Sequence, residues 1–174
     1  MSAFLHGKLP AHGDFVSRGL EPDGRDALDG WLAESLADAR AVMGERFEGA
    51  YDGAPPWRFA RREGEGWTAG ALAASVDGVG RRYPVLLARG GLTHEKVTSA
   101  AELVEGLLYE ALAEGWDADR LQAAALVLEP AAGEVWADEG WWTVDADGST
   151  VTRLAGARPA GLWTAMLTIN QDQP

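Results

Sequence analysis

The sequence contains no cysteine, and this absence excludes several kinds of chemistry. Without a thiol there is no disulfide, no cysteine nucleophile and no thiolate metal site. Long apolar runs are also missing, since uncharged stretches such as Leu121–Leu128 fall well short of the roughly 20 residues that span a bilayer. The first residues do not resemble a signal peptide, because His6 and Lys8 follow Leu5 at once. We therefore expect a cytoplasmic protein with no segment inserted in a membrane.

Basic residues are scarce relative to acidic ones. The chain has 15 Lys and Arg against 27 Asp and Glu, a net charge of −12, and residues 101–174 account for −10 of it. A negative field of this size repels phosphate backbones and anionic lipids, so we expect neither nucleic-acid binding nor membrane insertion. The acidic half either keeps the protein soluble or attracts a basic partner.

The composition that remains is that of a folded protein. Of the 174 residues, 47% are apolar and 24% are charged, and the eight Trp side chains can bury a large area. A chain of this length suits one domain. We predict a single domain over residues 1–174, with residues 169–174 as a frayed tail.

Two long helices are predicted over residues 24–43 and 99–114, where apolar residues recur at three- and four-residue spacing. Ser99 and Glu102 form a capping-box pattern at the start of the second helix. Four glutamates are expected to make the outer surface of that helix acidic: Glu102, Glu105, Glu110 and Glu114. A short third helix is predicted to end near residue 124, and the following residues 125–128 fit either a helix or a strand.

Shorter segments are predicted as strands from alternation, buried apolar runs and turn signals. They are residues 4–10, 57–61, 67–76, 83–88, 141–145, 150–154 and 162–169. Residues 15–17 follow a turn signal at Gly13-Asp14. The short hairpin connections favour antiparallel pairing. We therefore predict an α/β fold, a single-domain sandwich with a mixed or largely antiparallel sheet between helices.

Candidate catalytic residues are few. His6, His12 and Asp14 are the nearest approach to a metal site, but their spacing matches no metal-binding motif. Residues 78–83 lack the third glycine and the following helix of a dinucleotide site, and Ser75 lacks the flanking glycines of a nucleophile elbow. We expect no cofactor and no enzymatic activity, with a small metal-dependent hydrolase as the alternative.

Two polar clusters, residues 7–18 and 75–84, each contain an aspartate followed four residues later by an arginine. The pairs are Asp14 with Arg18 and Asp77 with Arg81. This spacing suits hydrogen bonds and ion pairs that close turns, and it also suits a recognition surface built on those turns. The residues that we consider for partner binding are Lys8, Asp14, Arg18, Trp57, Asp77 and Arg81.

The same clusters resemble the TagF family of type VI secretion-associated proteins. The first cluster contains Gly7-Lys8-Leu9-Pro10, Gly13-Asp14-Phe15-Val16 and Arg18, similar to the opening signature of that family. The resemblance continues in order through Leu28-Asp29-Gly30-Trp31-Leu32, Trp57-Arg58-Phe59, Ser75-Val76-Asp77, Val79-Gly80-Arg81 and Tyr83-Pro84. Trp141-Trp142-Thr143 is similar to a later aromatic strand, whereas Pro159-Ala160-Gly161-Leu162 departs from the Gly-Leu-Pro expected there.

The resemblance implies a function that the composition does not. TagF-like proteins are post-translational repressors of type VI secretion, and they act in the cytoplasm through a forkhead-associated (FHA) domain scaffold protein of the apparatus. The resemblance also implies an α/β fold with a sheet between helical layers, and it implies no enzymatic activity or cofactor. We therefore expect a non-enzymatic repressor that binds this scaffold. A structural or accessory subunit of the secretion machine is a further alternative.

Overall fold

A computed structural model describes residues 1–133 and 139–169 of the chain. In these ranges seven strands form one sheet: β1 Ser2–Gly7, β2 Val16–Arg18, β3 Trp57–Glu63, β4 Gly66–Ala73, β5 Val85–Leu92, β6 Gly140–Val144 and β7 Thr150–Ala155. The strand order is β2-β1-β5-β4-β3-β6-β7, and all neighbouring strands run antiparallel. The helices of the same ranges are α1 Pro22–Met43, α2 Phe47–Asp52, α3 Val97–Glu114, α4 Ala118–Leu126 and α5 Leu162–Thr168. The predicted α/β fold with a largely antiparallel sheet is confirmed.

The sheet is covered by helices on both faces, as alternation along its strands requires. On β5, Leu86 and Ala88 pack in the cluster formed with α1, α2 and α5, whereas Val85 and Leu87 pack in the cluster formed with α3 and α4. The second face is extended by a smaller cluster around Trp67 and the start of α3. Within the described ranges no helix is both long and apolar enough to cross a membrane.

The start of α3 differs from the prediction. The helix begins at Val97, so Ser99 lies within its first turn and does not cap it. The Ser99 hydroxyl instead accepts a hydrogen bond from the backbone N–H of Ala131 at 3.1 Å. Glu105, expected on the exposed acidic surface, is instead buried, and the Arg58 guanidinium donates to it at 2.5 Å. The strand β3 beneath the helix supplies this arginine, which the spacing of the glutamates alone could not reveal.

The end of the chain was predicted wrongly as a strand. Residues 162–168 form α5, and its buried side chains recur at the spacing of one helix face: Leu162, Trp163, Met166 and Leu167. The helix packs on α1 and α2, with the ring of Trp163 stacked 5.3 Å from that of Tyr51. Of the predicted tail only Ile169 is described, directly after α5, and residues 170–174 lie outside the described ranges.

Two smaller differences concern helices. The sequence did not predict α2, which follows α1 after a 3₁₀ turn and buries Phe47 and Tyr51. The segment that fitted helix or strand, residues 125–128, begins in α4, which continues through Leu126. The remaining strand and helix predictions are confirmed to within a few residues at each end.

Candidate functional site

The topology brings the two polar clusters to the same end of the sheet. β1 and β5 are antiparallel neighbours, so Gly7 at the end of β1 lies opposite Val85 at the start of β5. The loops that follow β1 and precede β5 therefore lie side by side. We call residues 8–18 and 75–84 together the double-loop surface. The approach at its base is close, because any side chain at Gly7, which has a φ of 135°, would collide with the Pro84 carbonyl.

A buried ion pair joins the two loops. The Lys8 ammonium donates to the Asp77 carboxylate at 2.9 Å, and Asp77 is only 2% exposed. Arg81 donates to the same carboxylate at 2.6 Å through its Nε atom and at 2.9 Å through its backbone N–H. Val79 adds a further backbone donor at 3.1 Å. Burial by itself raises the pKa of Asp77, but these hydrogen bonds outweigh it and hold that pKa well below its ordinary value of 3.8.

Backbone contacts reinforce the junction. The Gly78 N–H donates to the His12 carbonyl at 2.6 Å, and the Arg81 guanidinium donates to the Gly13 carbonyl at 2.8 Å. Behind the loops, the Ser75 hydroxyl donates to the Lys8 carbonyl at 2.7 Å. The two loops are thus one hydrogen-bonded unit, in which the Asp77–Arg81 pair predicted from the sequence is present.

The Asp14–Arg18 pair predicted by the same argument is absent from the described contacts. Asp14 instead accepts a hydrogen bond from the Phe15 backbone N–H at 2.8 Å. Arg18 donates to Asp119 of α4 at 2.6 Å, which fixes β2 to that helix and lowers the pKa of Asp119. The spacing of four residues predicted an ion pair, but β2 begins at Val16 and directs Arg18 toward α4.

Three of the six residues considered for partner binding are buried, and three are accessible. Trp57 is 0% exposed, Lys8 is 6% exposed and Asp77 is 2% exposed, so these three side chains belong to the core and to the junction between the loops. Their predicted role in partner binding stays a prediction, and any effect of theirs would act through the shape of the loops. Asp14, Arg18 and Arg81 are accessible, and their role in binding stays a prediction.

Phe15 is the exposed aromatic of the double-loop surface, with 48% of its area accessible. Its ring meets that of Tyr83 edge-on at 4.7 Å and lies stacked 6.3 Å from that of His6. The Lys8 ammonium lies 4.9 Å from the ring centre, within the range of a cation–π contact. Phe15 is therefore held in place by three side chains while a large part of its ring faces solvent.

A cavity of about 400 Å³ opens beside Phe15, between β1, β2 and the first turns of α1. Its lining is His6, Phe15, Val16, Ser17, Arg25, Asp26 and Asp29. The Asp29 carboxylate contacts His6 Nε2 at 3.0 Å and accepts from the Tyr83 hydroxyl at 2.7 Å.

The electrostatics of the cavity follow from these contacts. Burial raises the pKa of Asp29, but the hydrogen bonds from His6 and Tyr83 outweigh it and bring that pKa below its ordinary value. Burial and the nearby Asp29 carboxylate raise the pKa of Tyr83. Asp29 thus stays ionised and Tyr83 stays a donor at neutral pH. The sequence argument did not single out Asp29 or Tyr83 as site residues, although both lie in segments that resemble TagF.

The residues of the alternative metal site are not brought together. His6 contacts Asp29, the His12 ring accepts a hydrogen bond from the Ala118 N–H at 3.0 Å, and Asp14 caps the backbone at Phe15. No group of three His, Asp or Glu side chains in the described ranges could hold a metal ion. His6, His12 and Asp14 therefore do not form one site in the part of the chain that the structure describes.

The sequence model for the TagF N-terminal domain, type VI secretion system-associated, matches residues 5–128. The chain belongs to the TagF family. The matched residues of this TagF domain include all of the double-loop surface and the cavity beside Phe15.

Solved structures support the fold of this TagF domain. The crystal structure of PA0076 from Pseudomonas aeruginosa PAO1 is similar to it with a TM-score of 0.73, at 24% sequence identity, over 95% of this chain and 94% of that one. At this identity the likeness concerns the fold. A search of curated proteins found no match.

Proposed function

We propose that this TagF domain is a cytoplasmic, non-enzymatic, post-translational repressor of type VI secretion, and that it acts by binding an FHA-domain scaffold protein of the apparatus. Membership of the TagF family supports the link to type VI secretion. The resemblance described above supports repression through the scaffold.

A binding role is supported by the exposed side chains of the double-loop surface and by the contacts that hold them in place. Phe15, Val79 and Arg81 are exposed on it, with 48% of Phe15 and 74% of Val79 accessible. Large exposed apolar side chains next to an arginine are typical of the centre of a protein interface. Because buried contacts already position Phe15 and Arg81, little conformational entropy is lost when a partner binds.

The test compares secretion in strains that lack or overproduce the protein. We expect deletion of its gene to raise the amount of a secreted effector or tube protein, and overproduction to lower it. Unchanged secretion in both strains contradicts the proposal, and loss of secretion on deletion supports a structural subunit instead. Binding of the purified protein to the FHA-domain scaffold, measured by calorimetry with Phe15→Ala beside the parent, then tests the surface.

A further inference from the structure

We propose that the cavity between β1, β2 and α1 binds the guanidinium group of an arginine side chain of the partner. The Asp29 carboxylate supplies the opposite charge. The inference rests on the proposed function, because it takes the arginine to belong to the protein that covers the double-loop surface. It adds the chemistry of the contact, which the fold and the family do not specify.

The first argument is an imbalance of charge. Each arginine or lysine of the double-loop surface already contacts a carboxylate in the described structure: Lys8 and Arg81 contact Asp77, Arg18 contacts Asp119, and Arg82 contacts Asp52. At the cavity, Arg25 contacts Asp26 at 2.7 Å. Asp29 differs from Asp26 beside it, because no arginine or lysine of the described residues lies within ion-pair distance of it; its contacts are with the His6 imidazole and the Tyr83 hydroxyl, and its side chain is 45% exposed. The arginines and lysines of this region thus have carboxylate partners, whereas the Asp29 carboxylate has no guanidinium or ammonium partner among the described residues.

The second argument concerns buried groups without partners. His6 lines the cavity and is only 4% exposed, and its Nδ1 atom has no hydrogen-bond partner among the described residues. The Ser17 hydroxyl, directly opposite His6 in the β1–β2 pairing, is buried and also lacks one. Buried polar atoms in folded proteins are nearly always satisfied, so two unsatisfied ones in the wall of one cavity indicate a ligand.

The hydrogen-bonding capacity of these atoms specifies the ligand. In the His6 tautomer that has its hydrogen on Nε2 and donates it to Asp29, Nδ1 carries no hydrogen and can only accept. The Asp29 carboxylate can only accept, and the Ser17 hydroxyl can accept as well. A group complementary to this set must donate several hydrogen bonds and carry positive charge, and a guanidinium has five N–H donors and no acceptor. The partly exposed ring of Phe15 adds a wall on which a guanidinium plane can stack.

An NMR titration of the isolated protein tests the proposal. The probe is Nα-acetyl-arginine N-methylamide, and the matched control is the citrulline derivative, which has the same shape but no charge. We expect saturable shifts of the His6, Phe15 and Tyr83 ring signals with arginine, a dissociation constant in the millimolar range that is usual for so small a ligand, and no saturation with citrulline. Equal shifts with both probes, or none with arginine, overturn the proposal.

Two variants test whether binding of the arginine probe depends on the Asp29 carboxylate and not on its neighbour Asp26. Asp29→Asn keeps an oxygen that can accept from Tyr83 and His6, so the fold is retained while the charge is lost. We expect it to abolish saturation by the arginine probe and to weaken scaffold binding about tenfold. Asp26→Asn, whose parent carboxylate already contacts Arg25, should change both by less than about twofold. If Asp26→Asn has the larger effect, Asp29 is not the counter-charge.

The outcomes separate this inference from the proposed function. The probe titration needs no partner, so the arginine site survives if secretion is unchanged in the deletion strain. Conversely, a protein that represses secretion but ignores the arginine probe keeps its proposed function and loses this site.

Discussion

The ammonium of Lys8 and the carboxylate of Asp77 lie 2.9 Å apart, although 69 positions separate them in the chain. Both side chains are buried, and Arg81 contacts the same carboxylate from the solvent side. The pair holds the two loops of the double-loop surface in one arrangement. The stability that the pair contributes and the loop arrangement that it maintains can be measured separately.

Lys8→Met should lower the free energy of unfolding by about 3 kcal/mol, measured by urea denaturation. The reason is that removing one partner of a buried pair leaves the other charge poorly compensated, although Arg81 retains part of the contact. Lys96→Met, at a lysine without a described ion pair, is the matched control and should change stability by less than about 0.5 kcal/mol.

Replacing both partners should not restore stability. Asp77 also accepts from the backbone N–H groups of Val79 and Arg81, so Lys8→Met combined with Asp77→Leu leaves two donors without an acceptor. If the double variant is as stable as the parent, the two backbone N–H groups do not need the Asp77 carboxylate, and the Lys8–Asp77 pair makes no net contribution to stability.

Stability should decline in acid, and Asp77 should account for part of the decline. Its folded-state pKa is lowered below 3.8, so between these two values the unfolded chain binds more protons than the folded chain. The contribution is therefore present above pH 3.8 and is lost as pH falls through the folded-state pKa. Asp77→Asn should be less stable than the parent at pH 7, and the two unfolding curves should converge as the pH falls below 3.8. Parallel profiles across this range would contradict the assignment.

Phe15 and Trp57 should separate binding from stability. Phe15→Ala removes a half-exposed ring and should cost about 1 kcal/mol of stability, while scaffold binding falls at least tenfold. Trp57→Phe, in the core, should cost about 2 kcal/mol and leave the affinity of the folded protein unchanged. Calorimetric binding at a temperature where both variants are folded checks this. If the two variants lose scaffold affinity equally, Phe15 does not contact the scaffold directly.

Glu105 and Glu110 lie on one helix but should behave differently. Glu105→Gln weakens a buried ion pair with Arg58 and should lower the free energy of unfolding by about 1–3 kcal/mol. Glu110 is exposed, so Glu110→Gln should leave stability within about 0.5 kcal/mol of the parent. Thermal unfolding of the two variants gives the comparison, and a stable Glu105→Gln variant would contradict the burial of this pair.

The spacing of apolar residues predicted most of the helices and strands, because an element that buries one face must repeat its apolar residues at the period of that element. α1 buries Leu28, Leu32, Leu36 and Ala39, and α3 buries Val104, Leu108 and Ala111, at the three- and four-residue spacing that predicted both helices. The α5 segment was missed because an apolar run of eight residues fits either a strand or a helix, and only packing against α1 and α2 decides between them.

The site was less predictable than the fold. The Asp77–Arg81 pair is local and was found, whereas Arg18 contacts Asp119, 101 positions away. His6, Asp29 and Tyr83 come from β1, α1 and the loop before β5, so no spacing along the chain relates them. Contacts of this kind depend on the sheet order, which a single sequence does not contain.

The position of the double-loop surface ties its shape to the pairing of β1 with β5. One loop follows β1 and the other precedes β5, and these strands become neighbours only when β5 inserts between β1 and β4. A chain in which β1 and β5 have not yet paired does not present the two loops side by side. A partner that contacts both loops together therefore binds only chains in which these two strands have paired.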